Sequence, residues 1–175
     1  MKYLIIASAA YLLGSFCASI PLTRHFFGED VRSCGSGNAG ATNAVRTLGK
    51  KAGFLVMVGD ILKVVIPAVL VRYVIFRGES YGPMLCEIIG LAAVLGHNYP
   101  FWLKFKGGKG IATTIGVFAV CTPILTLILC ALALAFILIT EIGSIGSFIA
   151  TTPQAVYSAV KGILLYSRLE SKGSL

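Results

Sequence analysis

Negative charge is scarce in this sequence. Seven Asp and Glu stand against fifteen Lys and Arg in 175 residues, a net charge of +8, and charged residues of both signs make up only 13%. Soluble domains carry roughly 25%, so the shortage argues against a water-facing globular surface. The chain is 57% hydrophobic with a mean hydropathy of +0.87. The five cysteines form no C-x-x-C or Cys/His pattern, which argues against a zinc site or a disulfide scaffold. Cys17, Cys86, Cys121 and Cys130 sit in or beside apolar runs and Cys34 in a glycine-rich loop; they read as small apolar fillers. Disordered and collagenous classes fail on composition. A pI near 9.4 would ordinarily suggest nucleic acid as a partner. Here the charges are confined to short gaps between long apolar runs, so the expected partner is a membrane and not nucleic acid.

The apolar runs set the architecture. Residues 3–22 follow Met1-Lys2 and are long enough to cross a hydrocarbon core; with no A-x-A-like site after them, they read as a retained first span. A second span over residues 53–71 carries Asp60 and Lys63, and Arg72, Arg77 and Glu79 mark the gap after it. A third over residues 83–103 carries Glu87 and His97. Residues 111–139 are 29 positions without a charge. They form either one long tilted helix or two short ones broken at Cys121-Thr122-Pro123, since proline disfavours helix before it. Residues 142–166, with Pro153 and Lys161, are the last apolar stretch. The expected fold is all-α: one polytopic membrane domain over residues 1–175 with five to seven spans. Residues 23–51 and 104–109 hold eight of the fifteen Lys and Arg. The positive-inside rule places both in the cytoplasm and the N-terminus outside.

Two segments contain more chemistry than a connecting loop needs. The first is Gly35-Ser36-Gly37-Asn38-Ala39-Gly40-Ala41-Thr42-Asn43-Ala44-Val45-Arg46. Its glycines free backbone N–H groups to converge on an anion. Ser36, Asn38, Thr42 and Asn43 add neutral donors, and Arg46 offers a fork suited to phosphate. The plainer alternative is a flexible turn. The second runs Gly96-His97-Asn98-Tyr99-Pro100-Phe101-Trp102-Leu103-Lys104-Phe105-Lys106-Gly107-Gly108-Lys109-Gly110-Ile111-Ala112-Thr113. Gly107, Gly108, Lys109 and Gly110 directly before an apolar helix suit a phosphate-binding turn at a helix N-terminus. The spacing is not that of a Walker A loop. The plainer alternative is a basic, aromatic interfacial turn. Asp60 and Lys63 share a helix face and read as a structural pair. His97 is either a general base or an anchor for the loop, and no carboxylate stands at readable spacing from it.

Ser36-Gly37-Asn38-x-Gly40-Ala41-Thr42-Asn43-x-x-Arg46 and Gly96-His97-x-Tyr99-Pro100 followed by Phe105-Lys106-Gly107-Gly108-Lys109-Gly110-x-Ala112-Thr113 resemble the two motifs of the bacterial acyl-phosphate:glycerol-3-phosphate acyltransferases of the PlsY type. Tyr11-Leu12-Leu13-Gly14-Ser15 and Asp60-x-x-Lys63 fit as well, and the resemblance covers roughly residues 3–148. It implies an enzyme of the bacterial inner membrane with cytoplasmic motif loops and neither metal nor cofactor. That enzyme moves an acyl group from acyl phosphate to sn-glycerol 3-phosphate, giving lysophosphatidate for phospholipid synthesis. Carried over, Ser36, Arg46 and Lys109 contact substrate phosphates, and Lys106 and the loop glycines line the site. Ser147 aligns with a family serine near it. The tail, Leu165-Tyr166-Ser167-Arg168-Leu169-Glu170-Ser171, keeps Tyr166 and Glu170 but lacks the family's terminal His and Asn. Two other readings remain open on the sequence alone: a transporter or channel for a phosphorylated metabolite, and a non-catalytic member that binds lipid or a partner.

Overall fold

A computed structural model of the chain describes residues 1–78 and 82–171; Glu79, used above to mark a gap, lies outside them. All regular elements among the described residues are helical: α1 Lys2–Ser15, α2 Ser19–Phe27, α3 Ala41–Leu48, α4 Lys50–Leu70, α5 Gly82–Asn98, α6 Ile111–Cys121, α7 Pro123–Thr140 and α8 Gly143–Ser171. They fall into two compact units, Met1–Cys121 and Thr122–Leu175. Among the described residues, three helical stretches are long and apolar enough to cross a membrane: Leu4–Phe27, Lys50–Ile75 and Pro123–Thr140. Their outer faces carry large apolar side chains, with Leu4 72%, Ile124 77% and Ile139 83% exposed. Water would not tolerate such a surface, and lipid would.

The first span is not one uninterrupted helix. α1 stops at Ser15, Phe16 is extended at φ −67 and ψ 103, and α2 begins at Ser19 and runs past Leu22 to Phe27. Pro21 supplies the reason. It has no N–H for the Cys17 carbonyl and its ring would strike that carbonyl, so it is accommodated only in the first turn of a new helix. The same logic resolves residues 111–139 as two helices: Pro123 opens α7, and Thr122 before it sits at φ −140, outside the helical region. The third span ends earlier than expected, at Asn98, because Tyr99 precedes Pro100 and the chain turns there. Pro67 lies inside α4, which passes into a π turn over Val71–Ile75.

In the first unit α1 packs along α5, and α4 packs against α6. The approach of α1 to α5 depends on glycine: a Cβ on Gly14 would overlap the Ala93 carbonyl, and one on Gly96 would overlap that of Tyr11. Small residues that let backbones approach are the membrane solution where lipid gives no hydrophobic drive between helices. The main core joins Ala10, Val64, Ala68, Ile89, Ala93 and Val117. A smaller one, Val31, Ala44, Ala52 and Val56, lies around α3. Cys17, Cys86 and Cys121 are buried and Cys34 and Cys130 half-buried, all as free thiols. In the second unit α7 and α8 pack as a hairpin, with fully buried Gln154 accepting from Thr126 Oγ1 at 2.6 Å. α8 is continuous through Pro153.

Candidate active site

The first motif folds into a loop fastened to α2 and closed by α3. Ser19, Thr23 and Val31 are each 0% exposed. Ser19 Oγ donates to the Ala39 carbonyl at 2.9 Å, and Thr23 Oγ1 accepts from the Val31 N–H at 3.3 Å. Asn43 then organises the turn from its centre. Its Nδ2 donates to the Val31 and Cys34 carbonyls at 2.7 and 3.0 Å, and its Oδ1 accepts from the N–H and hydroxyl of Ser36 at 3.0 and 3.2 Å. An amide side chain has two donors and two acceptor sites, so all of its capacity is spent inside the loop. At the loop's outer end Asp30 bridges Arg32 and Arg24 at 2.8 and 2.7 Å. The hydrogen bond from Arg32, with Arg24 beyond it, holds the Asp30 carboxyl well below the usual carboxylate range.

This arrangement leaves Ser36, Gly37 and Thr42 exposed, Asn38 and Gly40 half-buried, and Arg46 exposed on α3. Gly40 caps α3, and the Gly37 N–H is turned back onto the Cys34 carbonyl at 3.2 Å.

The second motif is wrapped on the end of α5. The Gly107 and Gly108 N–H groups donate to the Asn98 and His97 carbonyls at 3.0 and 3.1 Å. Those two donors are therefore engaged with the protein, leaving the loop's anion affinity to Lys106, Lys109 and the open first turn of α6. Lys104 and Phe105 take the left-handed region at φ 52 and 58, which costs of order 1–3 kcal/mol per residue; the two bonds to α5 offset it. Gly110, at φ 76, caps α6 and accepts from Thr113 Oγ1 at 2.7 Å. Tyr11 Oη on α1 donates to the Tyr99 carbonyl at 2.7 Å and fixes the loop's other end. Lys106 and Lys109 are exposed. Among the described residues, the side chains of Arg46, Lys106 and Lys109 have no ion-pair or hydrogen-bond partner.

His97 has a carboxylate neighbour after all, contributed by another helix. Asp60 Oδ1 lies 3.6 Å from His97 Nδ1 and 2.9 Å from Lys63 Nζ. Lys63 Nζ also meets His97 Nδ1 at 2.7 Å and donates to the Phe16 carbonyl at 2.9 Å. The break between α1 and α2 is what frees that carbonyl. Lys63 thus ties the joint that leads into the first loop to the histidine that underlies the second. Asp60 and Lys63 form the expected pair, but the pair is part of a larger cluster.

Ser147 belongs to the second unit, where its hydroxyl donates to the Gly143 carbonyl at 2.9 Å.

A family model described as glycerol-3-phosphate acyltransferase matches residues 4–169. The glycerol-3-phosphate acyltransferase of Anaeromyxobacter sp. (strain K) is 44% identical over 149 residues, covering 85% of this chain and 73% of the relative. That of Pelagibacter ubique is 41% identical over 160 residues, covering 91% and 80%. Among solved structures, PlsY (YgiH), an integral membrane glycerol 3-phosphate acyltransferase, aligns in its glycerol 3-phosphate form with a TM-score of 0.78 and 36% identity. That alignment covers 98% of this chain and 90% of the other. The paired glycine motifs, the all-helical membrane framework and these likenesses agree: the chain belongs to the glycerol-3-phosphate acyltransferase family.

Proposed function

We infer that this chain is an acyltransferase that uses acyl phosphate to acylate sn-glycerol 3-phosphate, releasing lysophosphatidate and inorganic phosphate. The observation that carries the reading is a set of cations without a partner among the described residues, Arg46 on α3 and Lys106 and Lys109 on the second loop, on two internally braced motifs of an apolar helical framework. Both substrates are phosphate anions, and unpaired guanidinium and ammonium groups are their natural partners. Ser36 on the first loop, Arg46 on the helix α3 that closes it, and Lys106 and Lys109 on the second loop supply the phosphate contacts. Ser147 is assigned to the same substrates on the strength of the motif alone. Membrane lipids surround the spans, the motif loops face the cytoplasm of a bacterial inner membrane, and the N-terminus lies outside.

The chemistry asks little else of the protein. The glycerol hydroxyl oxygen attacks the acyl carbon and forms the ester C–O bond. The C–O bond to phosphate breaks, and phosphate leaves with the electron pair. The hydroxyl proton passes to a phosphoryl oxygen or to His97. Acyl phosphate is already activated, so holding two anions in register supplies much of the acceleration; good orientation alone is worth up to about 7–11 kcal/mol. Family membership favours this reading over a transporter.

The test is phosphate release by purified protein in detergent, given palmitoyl phosphate and sn-glycerol 3-phosphate. Release is expected to need both substrates and to fall at least about a hundredfold in Lys109→Ala or Arg46→Ala, the scale of losing one transition-state charge contact. Normal turnover in both variants would remove these residues from the site. Silence from a folded wild type would point to a non-catalytic member.

A further inference from the structure

We propose that Lys63 is a positioning residue that acts through His97: it fixes the imidazole in the tautomer that carries its proton on Nε2, so that the ring donates a hydrogen bond toward a phosphoryl oxygen at the glycine-lysine loop. This rests on the acyltransferase reading for its substrate, but not for its geometry.

The argument begins with what an ammonium group does. It has three donors and no acceptor. Lys63 Nζ has three partners within reach: Asp60 Oδ1 at 2.9 Å, the Phe16 carbonyl at 2.9 Å and His97 Nδ1 at 2.7 Å. The contact with Asp60 is an ion pair, and those with the Phe16 carbonyl and His97 are hydrogen-bond contacts. Facing a donor, His97 Nδ1 is the acceptor, and the neutral ring then keeps its proton on Nε2.

That nitrogen is the one on the loop side. A Cβ on Gly108 would collide with it, and among the described residues Nε2 has no hydrogen-bond partner. His97 is only 3% exposed, so an N–H donor without a protein partner at the base of a basic loop suits an anionic oxygen. The same arrangement removes His97 as the base: one ring nitrogen has its lone pair engaged by Lys63 and the other holds a proton. The hydroxyl proton therefore goes to a phosphoryl oxygen. Asp60 completes the device by holding Lys63 in place from one turn away on the same helix.

Two measurements test this on the intact protein in detergent. The first does not depend on turnover. The chain has two histidines, His25 and His97, so 15N-histidine NMR with a His25→Asn variant isolates the His97 ring. The expected spectrum has a protonated Nε2 and an unprotonated Nδ1 at neutral pH. A protonated Nδ1 would overturn the proposal.

The second is a mutant cycle on kcat. Replacing Lys63 alone would strand a buried carboxylate, so the variant used is Asp60→Asn with Lys63→Met. It is expected to lower kcat at least about tenfold in the His97 protein and less than about twofold in His97→Ala, because contacts that act through one group are non-additive. Equal losses in both backgrounds would mark the cluster as merely structural and overturn the proposal. His97→Gln, which places an amide donor near the Nε2 position, is expected to keep activity within about tenfold of wild type, whereas a general base would lose about a hundredfold or more. Wild-type silence with the Nε2–H spectrum intact would overturn the substrate assignment and leave the tautomer standing.

Discussion

Asn43 separates two kinds of residue that a sequence motif mixes. In the sequence it reads as one more donor for a phosphate, alongside Ser36 and Thr42; in the structure it is the post on which the loop is strung. Removing a buried group's partner costs about 1–3 kcal/mol; Asn43→Ala strands the carbonyl of buried Val31, leaves the Cys34 carbonyl with the Gly37 N–H alone, and releases both bonds to Ser36. The expected outcome is a melting temperature lower by several degrees and an activity reduced at least about tenfold. Asn43→Asp should be no milder, since it places a carboxylate against two carbonyl oxygens. Thermal unfolding in detergent beside an initial-rate assay checks both. The cations stand out in the sequence because nothing nearby neutralises them. The braces were harder to read, since their partners come from afar: Ser19 meets Ala39, and Asp60 meets His97. One signal was present, however. Ser19 and Thr23, four apart in an apolar run, mark a polar stripe, and the folded-back loop meets both of them.

At the scale of elements, the helices were legible from hydropathy, whereas their ends were read only in part. The break at Pro123 was one of two open readings and the turn at Pro100 was overrun by a span taken to residue 103, although both follow local backbone rules. Pro21 carried the same message about the first span, but an unbroken hydrophobic run masks a break that costs no polarity. What hydropathy cannot convey is which face of a helix is narrow. Gly14 and Gly96 set the α1–α5 distance, whereas Gly162 in α8 has nothing within 4 Å of where a Cβ would be. Gly14→Ala is therefore expected to abolish the monodisperse folded species. Gly162→Ala should raise stability by about 0.5–1 kcal/mol, the helix-propensity gain. Size-exclusion profiles and melting curves of the two variants distinguish these outcomes, and equal behaviour would remove the close-packing argument.

For the whole molecule, charge placement makes one further claim that can be checked. If the basic loops face the cytoplasm, Cys34, half-buried beside the first motif, is reachable from that side alone. A variant keeping only Cys34 should resist an impermeant maleimide in intact cells and react once the membrane is opened. Labelling in intact cells would invert the topology. The buried cluster has another consequence, for biogenesis. Asp60 and Lys63 are three residues apart on α4, so their ion pair exists as soon as that segment coils, before the ribosome has made α5. A nascent span that neutralises itself enters lipid at less cost than one that must wait for a distant counter-charge. The order of synthesis, and not the finished packing alone, gives a reason for both charges to be written into one helix.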